Sequence, residues 1–200
     1  LADKLPALAA AGIDEQTLAF WQPALDKIVR WVLDKENGYR REISRVFCEA
    51  EGRYDFEAPG GTFTVGARAD RIDLTVDGKI NVIDYKTGRA RTKKEISAGY
   101  APQLPIEGII ALNGGFAGIP AAEVNSLRYW RLGKEEICVD EKINEILERN
   151  LENIKRLIAV FDNEDKPYLT QPNPKYAPAY SDYEHLSRIK EWGANDRHDD

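Results

Sequence analysis

Two charged residues at the end of an apolar stretch are the clearest sign of chemistry in this sequence. The stretch Phe63–Gly88 predicts two β-strands joined by a tight turn at Asp77-Gly78. In the second strand Asp84 and Lys86 lie two residues apart, so both point to one face, which otherwise carries apolar side chains. A carboxylate and an ammonium group on a buried face are costly unless they are paired, hydrated or bound to a metal. We therefore expect this pair to carry the chemistry.

The first strand offers two partner carboxylates, Asp70 and Asp73, on opposite faces. A strict two-residue turn places Asp73 on the face of Asp84. A three-residue turn, with Gly78 in the left-handed conformation, shifts the register by one and places Asp70 there instead. Asp70 shares its face with apolar residues, whereas the neighbours of Asp73 are polar, which predicts a solvated side. Because a one-residue slip exchanges the faces, the hydrophobic pattern should decide, and it favours Asp70.

Two carboxylates beside a lysine at the edge of a sheet can hold Mg²⁺ or Mn²⁺, hard cations that prefer oxygen ligands. The lysine can orient a water molecule or stabilise the negative charge that develops on a phosphate. The alternative is a surface hairpin with an ordinary Asp–Lys ion pair. Because D-x-K is a short and common pattern, the spacing alone leaves both interpretations open.

The chain resembles a known nuclease family in three short segments, ARADRID, VIDYKTG and PQLPIEG, which occur in that order. The family is the RecB-family nuclease domain of the PD-(D/E)XK superfamily, in particular the C-terminal nuclease domain of AddB subunits of bacterial AddAB helicase-nucleases. The resemblance implies an α/β fold with a restriction-endonuclease-like core, in which helices flank a mixed central β-sheet. It implies that Asp70, Asp84 and the backbone carbonyl of Tyr85 bind the metal. It also implies that Lys86 is catalytic and that Gln103 belongs to a Q-x-x-x-Y motif on the following helix.

The function implied by this resemblance is a Mg²⁺-dependent deoxyribonuclease, an exonuclease that hydrolyses phosphodiester bonds and could also use Mn²⁺. Its substrate would be single-stranded DNA, delivered by an AddA-like helicase-nuclease subunit during double-strand break repair in the bacterial cytoplasm. The alternative is a catalytically silent nuclease-like domain that binds DNA or acts as a scaffold.

The sequence departs from the family pattern at three places. Ala67 stands three residues before Asp70, where the family usually has glycine. Glu107 stands where the Q-x-x-x-Y motif has tyrosine. The upstream helical histidine of the family has no counterpart, since His185 and His198 both lie near the C-terminus. Because the chain begins at Leu1 and contains no methionine, we expect an excised piece whose histidine lies further upstream. Glu49, in the preceding strand, is a possible additional acidic residue near the site.

The net charge of −6 is unusual for a domain that binds nucleic acid. The charge is unevenly distributed, and the segment KTGRARTKK forms a basic cluster directly after the Asp–Lys pair. A basic rim around an acidic metal centre would attract a phosphate backbone, and without the motif a solvated charged loop explains the cluster equally well. The candidate DNA contacts are Arg89, Arg91, Lys93 and Lys94.

Composition restricts the other function classes. With 200 residues, 42% hydrophobic and 31% charged, the chain can bury a core and does not have the composition of a disordered protein. No apolar run approaches a membrane span and no signal peptide is visible, so we expect no membrane association. Two cysteines, Cys48 and Cys138, are too few for a zinc cage or a four-cysteine cluster, so we expect no iron–sulfur cluster. Both lie in apolar, strand-like sequence, which predicts buried free thiols.

The chain reads as one nuclease domain, residues 1–200, with four parts. These are an N-terminal helical part (1–43), the sheet core with the site (44–139), a long covering helix (140–162) and a proline- and tyrosine-rich tail (163–200). Helical spacing predicts a helix around 18–33, whose main part either starts at Pro23 or bends there, with Trp21 and Trp31 as core anchors. A second helix is predicted from Tyr100 to Leu112, which puts Gln103 near its N-terminus, where anions are favoured.

Overall fold

The computed structural model describes residues 14–169 of the chain. These residues fall in two compact units that divide between Ala159 and Val160, and every candidate site residue belongs to the first. In the second unit, the ring of Phe161 stacks on that of Tyr168 with centroids 4.8 Å apart. The predicted tail lies outside the described residues from position 170 onward. Within the described range, none of the helices is both long enough and apolar enough to cross a lipid bilayer.

Four helices and five strands make up the described structure. The helices are α1 (Glu15–Tyr39), α2 (Lys93–Ser97), α3 (Gln103–Leu112) and α4 (Ile143–Phe161). The strands are β1 (Ile43–Ala58), β2 (Gly61–Thr75), β3 (Ile80–Lys86), β4 (Val124–Arg131) and β5 (Glu135–Val139).

The strands form one mixed sheet in the order β1-β2-β3-β4-β5. Neighbours are antiparallel except for β3 and β4, which are parallel. Because a tight turn cannot join parallel strands, the chain crosses over between them, and α2 and α3 lie in this crossover. The structure confirms the predicted α/β fold with a mixed central sheet flanked by helices.

The hairpin of β2 and β3 has the register of the three-residue turn. Arg71 pairs with Ile83, and Gly78 in the turn has a left-handed φ of 81°. Continuing this register by one residue sets Asp70 opposite Asp84. The register predicted from the hydrophobic pattern is therefore correct. A shift of one residue would have exchanged the two faces of β2 and placed Asp73, not Asp70, on the face of Asp84.

One face of the sheet, called here the α3 face, carries the alternate residues of β3 that end in Asp84 and Lys86. Helix α3 lies between this face and α4 at very close range. A Cβ atom on Gly108 would lie 2.8 Å from Leu147 of α4 and 3.2 Å from Leu127 of β4, so glycine permits the packing. The buried apolar residues of this core include Ile72, Ile80, Val82, Leu104, Ile110, Leu127 and Leu147.

The opposite face, called here the α1 face, is covered by α1 through aromatic rings and paired charges. Trp31 meets Trp130 edge-on with ring centroids 5.7 Å apart, which confirms its predicted core role. Arg71 and Asp73 are buried and paired, with Nε 2.6 Å from Oδ1, and Arg71 also pairs with Glu36 of α1. The predicted solvated side for Asp73 is therefore wrong, because α1 covers it and a guanidinium compensates the buried carboxylate.

A second ionic cluster on the α1 face is centred on the buried carboxylate of Glu136. Tyr39 donates to it from 2.8 Å, Trp130 from 3.1 Å, and Lys35 and Arg128 form ion pairs with it. Burial acts to raise the pKa of Glu136, but the surrounding donors outweigh burial and hold this pKa below its ordinary value. Glu136 is thus a buried charge with a full set of partners.

Helix α1 differs from the predicted N-terminal helix. It begins at Glu15, after Asp14 accepts a capping hydrogen bond from the backbone N–H of Thr17 at 2.8 Å. The helix continues through Pro23, so of the two predicted alternatives the start at Pro23 is wrong. Proline fits the helical φ, and its cost is a missing N–H and a steric clash rather than an obligatory break. Trp21 is 48% exposed, so its predicted core role is also wrong.

Two further local predictions are corrected by the structure. The basic segment after β3 is not wholly a loop, because α2 begins within it under a capping box between Thr92 and Glu95. The signature T-x-x-E was present in the sequence. Both cysteines are free, but Cys48 is exposed and Cys138 is half-buried, because strands β1 and β5 lie at the two edges of the sheet.

Candidate active site

The first candidate carboxylate, Asp70, lies where β2 and β3 separate. The paired residues of these strands end at Arg71 and Ile83. Beyond that point, Asp70 Oδ2 accepts a hydrogen bond from the backbone N–H of Tyr85 at 2.9 Å. A side-chain carboxylate thus takes the place of a ladder partner, and this contact holds Asp70 beside Asp84.

Asp84, Lys86 and Gln103 form one hydrogen-bonded group on the α3 face. Lys86 Nζ lies 2.8 Å from Asp84 Oδ2 and donates to Asp84 Oδ1 at 3.1 Å. It also donates to Gln103 Oε1 at 3.2 Å, and Gln103 Nε2 donates to Asp84 Oδ1. The ammonium lies 5.5 Å from the ring centroid of Tyr129, a buried aromatic residue of β4. The structure therefore brings together Asp70, Asp84, Lys86 and Gln103.

Glu107 joins this group from the next turn of α3. It lies four residues after Gln103, so the two side chains share one face of the helix. Gln103 Nε2 lies 3.4 Å from Glu107 Oε1, and Glu107 is only 2% exposed. The sequence signal for this placement was the helical spacing from Gln103, but its burial could not be read from that spacing.

Burial and mutual repulsion set the electrostatics of these carboxylates. Burial raises the pKa of Asp84, and the negative charge of Asp70 adds to this effect, while Lys86 opposes it. Burial raises the pKa of Glu107 to about 8, with a further contribution from the charge of Asp84. A positive charge close to both carboxylates would lower the pKa of Asp84 and the pKa of Glu107.

Glu49 does not join the group. It lies on the edge strand β1, its side chain is 58% exposed, and it forms an ion pair with Arg68 at 2.9 Å. Its φ of 54° is left-handed, which is uncommon for a residue other than glycine. The unusual backbone accompanies a side chain that is directed to a surface arginine.

The four candidate DNA contacts lie beyond the end of β3 with exposed side chains. Arg89 and Arg91 are 78% and 55% exposed, and each forms an ion pair with Glu95, at 3.6 Å and 3.3 Å. Lys93 and Lys94 are exposed in the first turn of α2. All four follow Lys86 closely in the chain.

The donor set suits a divalent cation. Asp84 Oδ2 and Glu107 Oε2 are buried carboxylate oxygens without a hydrogen bond of ordinary geometry among the described residues. Such oxygens are the ligands that Mg²⁺ and Mn²⁺ prefer. Within residues 14–169, no three acidic, histidine or cysteine side chains already converge on one metal-sized space.

Fold and site together define a class: an α/β domain whose mixed sheet ends in an Asp–Asp–Lys group, with a glutamine from the following helix. Residues 2–183 match the PD-(D/E)XK nuclease superfamily, and the chain belongs to that superfamily.

The similar curated proteins carry no assigned activity. An uncharacterized protein of Rickettsia bellii is 32% identical over 96 residues, which is 48% of this chain and 12% of that protein. An uncharacterized protein of Rickettsia conorii is 36% identical over 77 residues, which is 38% of this chain and 9% of that protein. The chain thus spans a small part of the length of the curated relatives that it matches. The crystal structure of SSO0001 matches 70% of this chain and 69% of its own at 18% identity with a TM-score of 0.35, too remote to carry an argument.

Proposed function

We propose that this chain is a metal-dependent DNA nuclease domain that uses Mg²⁺, or alternatively Mn²⁺, to hydrolyse phosphodiester bonds. The observation that carries the proposal is the buried Asp84 carboxylate, whose Oδ2 has no hydrogen bond of ordinary geometry and has only the ammonium of Lys86 as an ionic partner, at 2.8 Å. A purely structural ion pair would not require a second carboxylate, Asp70, held at the same end of the sheet.

The cation would be held by Asp70, Asp84 and the backbone carbonyl of Tyr85. A divalent ion supplies Lewis-acid stabilisation of charge on the phosphate and lowers the pKa of water. The contribution of the protein is to fix both carboxylates in place. Asp70 is held by the N–H of Tyr85, and Asp84 is held by Lys86 and, before an ion enters, also by Gln103.

Lys86 is placed to act on the phosphate itself. Its side chain is 32% exposed, so the ammonium reaches the surface while it remains bound to Asp84. From this position it can donate to a phosphate oxygen or orient the attacking water. Gln103, at the first residue of α3, would hold the same phosphate or the water through its amide group.

The exposed cations beyond β3 would contact the phosphate backbone of single-stranded DNA. Such contacts position a strand without reading its sequence, so we expect cleavage with little base preference. The residues concerned are Arg89, Arg91, Lys93 and Lys94.

We also infer a larger context from the sequence resemblance: an AddB-like, exonucleolytic part of a bacterial helicase-nuclease that processes double-strand breaks in the cytoplasm. The partner would be an AddA-like helicase subunit. Co-purification of a longer protein that contains this domain with such a subunit would support this context, if processive degradation is then lost when Lys86 is replaced. A longer protein that degrades DNA without a helicase, and binds none, would contradict it.

The direct test is cleavage of labelled single-stranded DNA with Mg²⁺ or Mn²⁺ by the purified chain and three variants. Lys86→Ala and Asp84→Asn should abolish cleavage, because each removes a group of the proposed centre. Lys79→Ala is the matched control. It removes a lysine from the other end of the same hairpin, where it pairs with Glu123, so cleavage should be unchanged.

The possible outcomes separate the alternatives. Metal-dependent cleavage that is lost in both site variants supports the nuclease. Cleavage that survives in both contradicts the assignment of the site. A folded chain that binds DNA but does not cut it, with either metal, supports the alternative of a silent DNA-binding domain. The replacement of the motif tyrosine by Glu107 is the observation that favours testing this alternative.

A further inference from the structure

Glu107 differs from the other buried acids of this domain in having no charged partner. Asp73 is held by Arg71 at 2.6 Å, and Glu136 is held by several donors. Glu107 is as buried as Asp73 and more buried than Glu136, yet its Oε1 has only a long contact of 3.4 Å to Gln103 Nε2, and its Oε2 has no hydrogen bond within the described structure. A buried carboxylate in this condition is costly for the folded protein.

The position of Glu107 shows what could compensate that cost. One nitrogen atom, Gln103 Nε2, donates to Asp84 Oδ1 and lies near Glu107 Oε1. The two carboxylates are therefore neighbours, and the group between them is a hydrogen-bond donor. The other oxygen of Glu107, Oε2, is buried without a hydrogen bond within the described structure, whereas Asp84 Oδ2 has the ion pair with Lys86 at 2.8 Å. The partly positive amide group of Gln103 thus occupies a position between the two carboxylates, where both of them would also stabilise a cation.

We propose that Glu107 is a third carboxylate of the divalent-cation site, in addition to Asp70 and Asp84. In this site the amide nitrogen of Gln103 and the ion would need the same space between Asp84 and Glu107. The amide must therefore move away when the ion binds. Among residues 14–169 no three acids already surround one metal-sized space, so binding by all three carboxylates requires this movement. The inference rests on the proposed nuclease function, since it assigns a further ligand to the same centre.

The experiment measures cation binding rather than cleavage. Titration of Mn²⁺ into the purified chain by isothermal calorimetry gives the dissociation constant for the parent and three variants. Glu107→Gln keeps the shape of the side chain and removes the charge, and we expect binding at least about tenfold weaker. Asp84→Asn should abolish measurable binding. Glu123→Gln removes one exposed glutamate at the start of β4 and should bind as the parent does, which controls for net charge.

The variants separate failure of this inference from failure of the nuclease proposal. If Asp84→Asn weakens binding and Glu107→Gln does not, the centre exists but Glu107 is not part of it. If neither the parent nor any variant binds Mn²⁺, the cation-dependent function itself is overturned. Circular dichroism of each variant confirms that a lost affinity does not reflect an unfolded chain.

A second readout tests the same point without calorimetry. A ligand that binds only the folded protein raises its melting temperature. Ca²⁺ is an oxygen-preferring probe that should therefore raise the melting temperature of the parent and of Glu123→Gln. The rise should be clearly smaller in Glu107→Gln. An equal rise in all three would refute the assignment of Glu107.

Discussion

Replacing Glu107 by glutamine should change the pH dependence of stability in a defined direction. Burial raises the pKa of Glu107 from an ordinary 4.5 to about 8. The folded protein therefore holds this proton more tightly than the unfolded chain does. Between these two pH values the folded state binds more protons, so the free energy of unfolding falls as the pH rises. Glu107→Gln removes that fall.

The size of the effect follows from the two pKa values. Each pKa unit between the folded and unfolded states is worth about 1.4 kcal/mol, so the full difference approaches about 5 kcal/mol at alkaline pH. Relaxation around a buried charge reduces this figure. We expect Glu107→Gln to match the parent near pH 4 and to exceed its stability by several kcal/mol at pH 9.

Urea unfolding, followed by the fluorescence of the four tryptophans, measures this difference at pH 5, 7 and 9. The buffer contains a chelator, because a bound divalent ion would stabilise the ionised carboxylate and reduce the gap between the two proteins. A stability difference that stays constant from pH 5 to pH 9 would refute the reasoning. It would mean that Glu107 titrates as an exposed glutamate does.

Three other perturbations have expected results that the structure defines. Glu136→Gln breaks a buried ionic cluster and should lower the free energy of unfolding by about 3–5 kcal/mol near pH 7, measured by the same urea series; an unchanged midpoint would contradict it. Gly52→Ala should destabilise the domain, because its Cβ atom would lie 2.4 Å from the ring of Phe116; a melting temperature equal to that of the parent would show that the ring moves freely. The double variant Lys93→Ala, Lys94→Ala should weaken binding of single-stranded DNA and reduce the slope of log K against log salt by roughly 1.4. Fluorescence anisotropy at several salt concentrations measures that slope, and an unchanged slope would remove both lysines from the DNA interface.

Local patterns were sufficient to predict the hairpin and the position of Asp70. The alternation of apolar residues fixed which face of β2 meets which face of β3, and Gly78 fixed the length of the turn. These features are carried by residues close in sequence, so spacing and turn chemistry determine them. The same is true of α3, whose first turn holds Gln103.

Features that depend on distant parts of the chain could not be predicted in this way. The polar residues around Asp73 indicated a solvated face, but α1 covers that face and supplies Glu36 to the buried Arg71. The burial of Glu107 likewise depends on how α3 packs on the sheet, which brings this side chain next to the charge of Asp84. In both cases an element that lies elsewhere in the chain decides the environment of the charge.

The two buried glutamates, Glu136 and Glu107, show how such environments separate structural charges from functional ones. Glu136 has donors for both oxygens, and its pKa stays below the ordinary value. Removing it should therefore destabilise the fold. Glu107 lacks such donors, its pKa rises to about 8, and removing it should stabilise the fold in the absence of a cation. Glu107 lies beside Asp84 with a buried oxygen that lacks a hydrogen bond among the described residues, and the positively charged ligand that we propose would supply the missing partner.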